Sequence, residues 1–396
     1  MKTLIVSLYY APEVGAAPSR ITNMAEGLKD KGGDVEVLTA LPNYPKGKIY
    51  EGYRGRYSMH RKINDVLVHR YWTFATITKN PILRLLSMFT FALTMWSFAI
   101  HRKRIKSFDN VIIQTPPIFV AFSAILIFRG LYRKKTILNI SDLWPLSAVE
   151  LGAVKEGSFV YKILAWMEKF MYRHTIAYQG QSREIVEHVL DFEKSKPHFL
   201  YRNLQHDVSV SIPKLQRAPF KIVYAGLLGV AQDILGIITQ IDFKSMDAEF
   251  HIFGGGNQAK KIEDFISKND TGVIYHGFLD KKDMVNELVN YHASIVPLAV
   301  RIKGAVPSKI FDLLPVGVPI LFCGGGEGAN IVNEYRIGYV SEPGNIDALK
   351  SNIVEMISLS DEEYQKLKDN CINTSKEDFS FTQQMSKYYE FLLSLN

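Results

Sequence analysis

The feature that most limits how this chain can fold is an alternation that occurs twice. Short apolar, β-branched runs closed by glycine, serine or proline take turns with segments of helical period. In the first series the pattern predicts strands at 3–10 (TLIVSLYY), 34–40 (DVEVLTA), 66–72 (VLVHRYW), 110–115 (NVIIQT) and 134–141 (KKTILNIS). A helix is predicted between the first two, with Ser19 as its cap and Gly32 closing it. The second series predicts strands in 220–226, 248–256, 272–279, 293–298 and 318–326. Between the series, residues 204–219 hold two prolines and no sustained period, so they read as a linker. Strand–helix alternation of this kind builds parallel sheets with helices on their faces. A chain of 396 residues is also too long for one ordinary core. The expected organisation is an N-terminal Rossmann-like domain (1–203), a linker (204–219), a C-terminal Rossmann-like domain (220–378) and a tail (379–396). The tail contains an amphipathic helix at 381–395, expected to pack back on the first domain.

Composition removes several classes of function. Two cysteines, Cys323 and Cys371, supply neither a disulfide framework nor a cysteine metal site, and they favour a reducing compartment. The opening MKTLIVSLYYAP has no small-residue cleavage site and reads as a buried first strand rather than a signal peptide. The net charge of +7 invites a nucleic-acid reading. The basic residues, however, sit in short clusters such as HRKRIK (101–106) and RKK (133–135), without the aromatic interleaving or zinc spacing of nucleic-acid binders. Phosphorylated substrates or anionic lipid headgroups suit that pattern better, and no nucleic acid is expected as a partner.

Doubly wound sheets bind ligands outside the carboxyl ends of their strands, so the loops there carry the chemistry. Four such loops stand out in the second series. One holds Gly226 and Gly229, one holds Gly254 and Gly255, one is HGFLDKKDM, and one is AVPSKIFDLLPVGVP. In the last, Pro307 and Ser308 signal a helix start, which puts Ser308 and Lys309 in a first turn where free amides and a positive charge favour phosphate. Asp312 projects from the same side one turn on and suits a ribose diol. There is no G-x-x-x-x-G-K-[ST], and no first-strand G-x-G-x-x-G with a following acid, so neither a P-loop enzyme nor a NAD enzyme is indicated.

Blocks in both halves resemble the retaining family 4 glycosyltransferases of the GT-B fold, two Rossmann-like domains facing a cleft. They are nearest the bacterial O-antigen and capsule branch that includes fucosyl- and N-acetylfucosaminyl-transferases. The blocks are YYAPEVGAAPSR (9–20), LPNYPKGKIYEGYRG (41–55), SDLWPLSAVELG (141–152), YAGLLGVAQ (224–232), HIFGGG and VPSKIFDLLPVGVPI. The resemblance implies sugar transfer with retention, from a nucleotide sugar (UDP rather than GDP) to a lipid-linked saccharide. It implies Ser308 and Lys309 on the diphosphate, with Lys309 steadying the leaving group, and Asp312 on the ribose. Gly226, Gly229 and Gln232 would lie along the cleft, with backbone contacts from Phe278 or Leu279 to a uracil edge. Where the family keeps a first glutamate, this chain has Gly304, and the usual Asn after the first glycine is Leu227.

In the first domain the resemblance implies that Gly15 lets the diphosphate approach. Arg20 either points the same way, toward the acceptor, or solvates its helix face. Asp142 either touches the acceptor or caps the segment from Trp144, and Lys46 meets an acceptor phosphate. No DxD-like metal set occurs, so no metal and no cofactor beyond the sugar nucleotide is expected. Two rivals share the fold: a UDP-N-acetylglucosamine 2-epimerase, and a non-catalytic nucleotide-sugar binder, the latter suggested by Gly304 and Leu227.

The uncharged run 85–100, LLSMFTFALTMWSFAI, falls short of the roughly 20 residues of a spanning helix. It is bounded by Arg84 and HRKRIK, and its many large apolar groups predict a helix lying on the cytoplasmic leaflet, where an undecaprenyl-diphosphate-linked acceptor would be met. The shorter run 118–128 is expected to be a buried helix. The expected location is therefore the cytoplasm, peripheral on the inner face of the cell membrane.

Overall fold

The computed structural model describes residues 1–76, 81–208 and 210–395. Ser209 of the expected linker and Asn396 of the tail lie outside the described residues, as do the side chains of Arg84 and Leu85 at the start of the apolar run. The chain forms two compact units. One comprises 1–205, 302–304 and 381–396, and the other comprises 206–301 and 305–380.

The first unit contains β1 (Lys2–Val6), α1 (Ala16–Asp30), β2 (Asp34–Ala40), β3 (Ser58–Ile63), β4 (Val66–Tyr71), α2 (Pro81–Thr94), α3 (Arg102–Ser107), β5 (Asn110–Thr115), α4 (Ile118–Ile125), β6 (Lys135–Ile140), α5 (Leu146–Glu150), α6 (Phe159–His174), β7 (Ala177–Gly180), α7 (Arg183–Leu190) and β8 (His198–Leu200). Its eight strands run in the order β3-β4-β2-β1-β5-β6-β7-β8. All neighbours pair in parallel except β3, which turns back on β4 through Asn64 and Asp65, both with positive φ. That two-residue turn matches the twist of a hairpin. The central strands are apolar on both faces because helices cover both, as parallel strands require.

The second unit contains β9 (Phe220–Ala225), α8 (Ile234–Gln240), β10 (Ala248–Phe253), α9 (Ala259–Ile266), β11 (Val273–Gly277), α10 (Lys281–Leu288), β12 (Ala293–Pro297), α11 (Lys309–Leu313), β13 (Ile320–Cys323), α12 (Gly326–Glu334), β14 (Gly338–Ser341), α13 (Ile346–Ser358) and α14 (Asp361–Glu377). Its six parallel strands run β11-β10-β9-β12-β13-β14. The last helix, α15 (Phe381–Ser394), belongs to the first unit. In each sheet the strand order reverses beside the first strand, at β1/β5 and at β9/β12, and those switch points define where a ligand binds.

Two local expectations change, the cap of α1 and the continuity of the apolar run. α1 begins at Ala16 with Gly15 at its N-cap, so Ser19 lies inside the first turn and donates its amide to the Gly15 carbonyl at 3.0 Å instead of capping. Within the linker, Arg217 is strapped to the second unit, donating to the carbonyls of Leu359 (2.6 Å), Met356 (3.2 Å) and Ile357 (2.9 Å). The apolar run is not one helix: α2 ends at Thr94 and a 3₁₀ segment carries Met95–Ile100. The run 118–128 is α4 followed by a π-helical turn, and most of it is buried on the sheet with Leu4, Val6 and Val111. Among the described residues, no helix is long and apolar enough to cross a membrane.

Candidate functional site

In the second unit the site grows from two turns that cross. After β9 the chain turns at Gly226, and after β10 at Gly254. The Gly226 amide donates to the Phe253 carbonyl at 2.9 Å, and the Leu228 amide donates to Gly255 at 2.9 Å. A Cβ on Gly254, whose φ is +143°, would stand 1.8 Å from the Gly226 carbonyl oxygen, so only glycine permits the crossing. Two tyrosines brace it. Tyr224 donates its hydroxyl to the Leu227 carbonyl at 2.6 Å, and Tyr275 donates to that of Gly254 at 2.8 Å. Nothing lies within 4 Å of where a Gly255 Cβ would be. Gly254 is thus explained by backbone packing, and Gly255 is left facing open space.

Lys309 lies over the first of these turns. Ser308 is the N-cap of α11 in helical conformation, with no side-chain cap bond, and the Phe311 and Asp312 amides donate to its carbonyl at 3.0 and 3.1 Å. From there the Lys309 side chain reaches back so that its ammonium sits 5.3 Å from the Tyr224 ring centroid. A Cβ on Gly226 would stand 2.4 Å from Lys309 Cε and 2.6 Å from Nζ, so Gly226 makes the room for this cation. Burial lowers the ammonium pKa below the ordinary lysine value, with the Asp312 carboxylate pulling the other way. Among the described residues no oxygen accepts a hydrogen bond from Lys309. A half-buried cation over a bare glycine turn, with its nearest charge compensation one helical turn away, is a site built for an anion.

The remaining residues expected in this half surround the same loops. The Gln232 side-chain oxygen is buried without a donor among the described residues, 3.0 Å from where a Gly229 Cβ would be, while the Gln232 backbone N–H donates to the Gly229 carbonyl at 3.2 Å. Phe278 follows β11 with 71% of its surface exposed, beside half-buried Leu279.

In the first unit the structure redistributes the expected roles. Arg20 is 2% exposed. Its guanidinium donates to Gln181 Oε1 (3.0 Å), Asn139 Oδ1 (2.9 Å) and the Tyr201 carbonyl (3.2 Å), tying α1 to the ends of three strands. Arg20 therefore does not solvate its helix face; it holds α1 against the ends of these strands. Asp142, just beyond β6, does not cap the next helix: α5 starts after Pro145 with no side-chain cap bond. Its carboxylate accepts no hydrogen bond among the described residues. Burial pushes it up to about 6, with the Arg20 charge holding it down. Gly15 has φ +146°, a conformation L side chains rarely adopt, and the space a Cβ would take lies 2.8 Å from the Tyr44 ring. Lys46 is exposed, 5.4 Å from the Tyr50 ring centroid. Gly304 has φ +82° and a would-be Cβ 2.6 Å from Ile185, and its amide donates to Glu184 Oε2 at 2.6 Å. A glutamate at that position would clash.

The sequence reading passed over Glu13. It is 5% exposed, and its carboxylate accepts the amides of Asn43 (2.7 Å), Tyr44 (2.8 Å) and Tyr10 (3.1 Å), which fixes the loop that carries Lys46. Burial raises its pKa to about 7 against those three bonds. The available signal was an acid inside an otherwise apolar first loop. Among the described residues no group of three or more His, Cys, Asp or Glu is arranged to hold a metal ion.

Two family models divide the chain at the same place as its sheets. A glycosyl transferase 4-like domain matches residues 15–197, and a glycosyl transferases group 1 domain matches residues 220–358. A putative colanic acid biosynthesis glycosyl transferase, WcaI of Escherichia coli K12, is 24% identical over 338 residues, spanning 80% of this chain and 82% of that protein. The fold matches sucrose-phosphate synthase from Thermosynechococcus elongatus with a TM-score of 0.71 at 13% identity, covering 100% of both chains. It also matches Anabaena HepE, solved in complex with UDP-glucose, with a TM-score of 0.69 at 14% identity and full coverage of both chains. With both domain models matched in order and the two-sheet architecture shared, the chain belongs to the family 4 glycosyltransferases of the GT-B type.

Proposed function

We propose that this glycosyltransferase moves a sugar from a UDP-sugar to a lipid-diphosphate-linked saccharide in polysaccharide assembly, with retention at the anomeric carbon. The observation that carries the donor half is the Lys309 ammonium over the Gly226 turn, which donates to no oxygen among the described residues. HepE with UDP-glucose and the colanic acid relative support the donor class and the polysaccharide setting. As the glycosidic bond to the diphosphate breaks, negative charge grows on the leaving oxygen. A fixed cation in a partly dry site stabilises that charge without reorganising. Ser308 and Lys309 supply this, Asp312 takes the ribose hydroxyls, and the exposed end of β11 at Phe278 and Leu279 takes the base. On the acceptor side Asp142 and Lys46 are the candidate contacts, with Asp142 in reach of protonation near neutral pH. Lysine takes the place of a metal, so EDTA should leave turnover unchanged; loss of turnover restored by a divalent ion would show that a metal bridges the diphosphate.

The test is a panel of UDP- and GDP-sugars. Melting shifts identify the nucleotide, and mass spectrometry follows nucleotide release with and without a lipid-diphosphate sugar. Release that rises with acceptor supports transfer. Conversion of a lone sugar nucleotide would indicate an epimerase, binding without turnover a non-catalytic partner, and no shift with any nucleotide would remove the donor assignment. A membrane-bound acceptor also requires the enzyme to reach a bilayer surface, as the apolar run 85–100 suggests.

A further inference from the structure

We infer that α6, together with α2 and the 3₁₀ segment after it, forms a bilayer-docking face whose ligand is the surface of an anionic lipid membrane. The three helices α2, α4 and α6 lie side by side on one face of the first unit's sheet. Phe89 meets Phe119 at 5.9 Å, Trp96 donates its indole N–H to Ser123 Oγ at 2.9 Å, and Phe122 meets Trp166 at 5.6 Å. Their inner sides are buried in the core through Phe91, Phe98, Val120, Leu164 and Met167.

Their outer sides are apolar as well. Leu86, Phe89, Leu93, Trp96 and Ile100 recur at helical spacing along the outer stripe, with Leu93 54% and Ile100 77% exposed. On α6 the stripe is Phe159, Val160, Ile163 and Trp166, with Phe159 78% and Trp166 57% exposed. A helix apolar all round is normally buried, and an exposed patch of this kind needs a cover. The α6 part had no counterpart in the sequence reading, because 159–174 carries Lys162, Lys169 and Arg173 and looks like an ordinary amphipathic helix.

Charge selects the cover. Residues 81–107 and 118–135 contain no Asp or Glu, and the only acid in α6, Glu168, is 6% exposed and accepts from the Tyr172 hydroxyl at 2.8 Å. The exposed cations Arg102, Lys103, Lys106, Arg129 and Lys162 pair with no carboxylate among the described residues. Next to Ile100, the segment 101–104 lines an open hollow of about 400 Å³ with His101, Arg102, Lys103 and Arg104. A second copy of the chain would bring the same positive charge to the same face and be repelled. Anionic headgroups with acyl chains beneath them complement both the cations and the apolar stripe. The inference depends on the transfer reading for its purpose only, since vesicle binding is measured without sugar nucleotide.

The full chain is sedimented with vesicles of phosphatidylcholine alone or mixed with phosphatidylglycerol. Binding should require phosphatidylglycerol and weaken with salt. Phe159→Ser/Trp166→Ser should cut partitioning by about tenfold or more, with an unchanged melting midpoint and unchanged nucleotide-induced shift. Arg102→Gln/Lys103→Gln should weaken binding while keeping any residual salt-independent part. Equal partitioning of wild type and the α6 variant overturns the inference. So does a concentration-dependent dimer that the same variant dissociates, which would make the face an interface between copies. Vesicle binding by a chain that transfers no sugar would leave the docking face standing and remove only the transfer reading.

Discussion

At the scale of single residues, Lys309 and Asp142 are the groups whose environments least resemble those of a merely structural side chain. Lys309→Met keeps the length of the stem over Gly226 and removes the charge, so folding should persist while kcat falls by about 100-fold or more, the usual cost of one transition-state charge contact. Lys309→Arg should rescue little, because the wider guanidinium has no room above a turn that already excludes a Cβ. Single-turnover rates with UDP-sugar check both; wild-type turnover in Lys309→Met would remove it from the chemistry. Asp142 gives a prediction with two signs. Its folded-state carboxyl titrates near 6, above the ordinary aspartate value, so the folded chain holds this proton more tightly than the unfolded chain. The stability it contributes is present at acid pH and is lost as pH rises from about 4 through about 6. Asp142→Asn should therefore melt higher than wild type near neutral pH and show no such gain at acid pH. If the ionised carboxylate handles the acceptor, the same variant loses activity and flattens the rise of kcat/KM near pH 6. Higher stability with unchanged activity would confine Asp142 to a structural role. The meeting of Lys309 with the Gly226 turn was legible in the sequence at this scale, since glycine, Pro-Ser-Lys and a following acid have few uses together after a strand. The Arg20 role was not, because a buried arginine and a solvated one read alike until the acceptors at Asn139 and Gln181 are brought together by three separate strands.

At the scale of elements, most of the strands read from the sequence are those buried along nearly their whole length. β2 and β5 fall on the expected residues, and β1 ends early at Val6 because Ser7 donates its hydroxyl to the Tyr9 carbonyl and turns the chain. The unread strands are short or sit at sheet edges. β3 is SMHRKI, half exposed and antiparallel, and its pairing is set by the Asn64–Asp65 turn rather than by an apolar pattern. β7, β8 and β14 have three or four residues each, too few for a period to show. The crossing of the β9 and β10 turns is equally invisible, since it depends on two loops separated by a helix. It carries its own prediction. Gly254→Ala places a methyl 1.8 Å from a backbone oxygen in a conformation that L side chains avoid, which should cost about 2–4 kcal/mol. The melting midpoint should drop by about 5–10 °C, and nucleotide binding should weaken with it. Gly255→Ala, with nothing within 4 Å, should leave the fold intact; equal melting of the two variants would contradict the crossing.

At the scale of the whole molecule, the chain leaves its first unit at residue 205, builds the second with a brief return at 302–304, and comes back with α15. That return is structural. Tyr388 is fully buried and meets Tyr201 at 4.9 Å, the Tyr201 hydroxyl points to Met385 at 3.5 Å, and Gln384 bonds both the amide and the carbonyl of Arg202 at 2.9 and 3.1 Å. Tyr201 is also the residue whose carbonyl accepts from Arg20, so the last helix supports the same network that stands beside Asp142. Removing everything after Ser380 strips this cover from the first unit's core and leaves the second unit whole, including Phe379, whose ring packs on Phe311 of α11 at 5.0 Å. Truncation should therefore lower the melting of the first unit selectively. The transition that responds to nucleotide should keep its shift, because Lys309, Gly226 and Phe278 all belong to the second unit. Differential scanning calorimetry with and without UDP separates the two transitions. Loss of the UDP-dependent shift on truncation would mean that the nucleotide depends on the first unit as much as the second, and an unchanged profile would mean that α15 adds nothing to the core it covers.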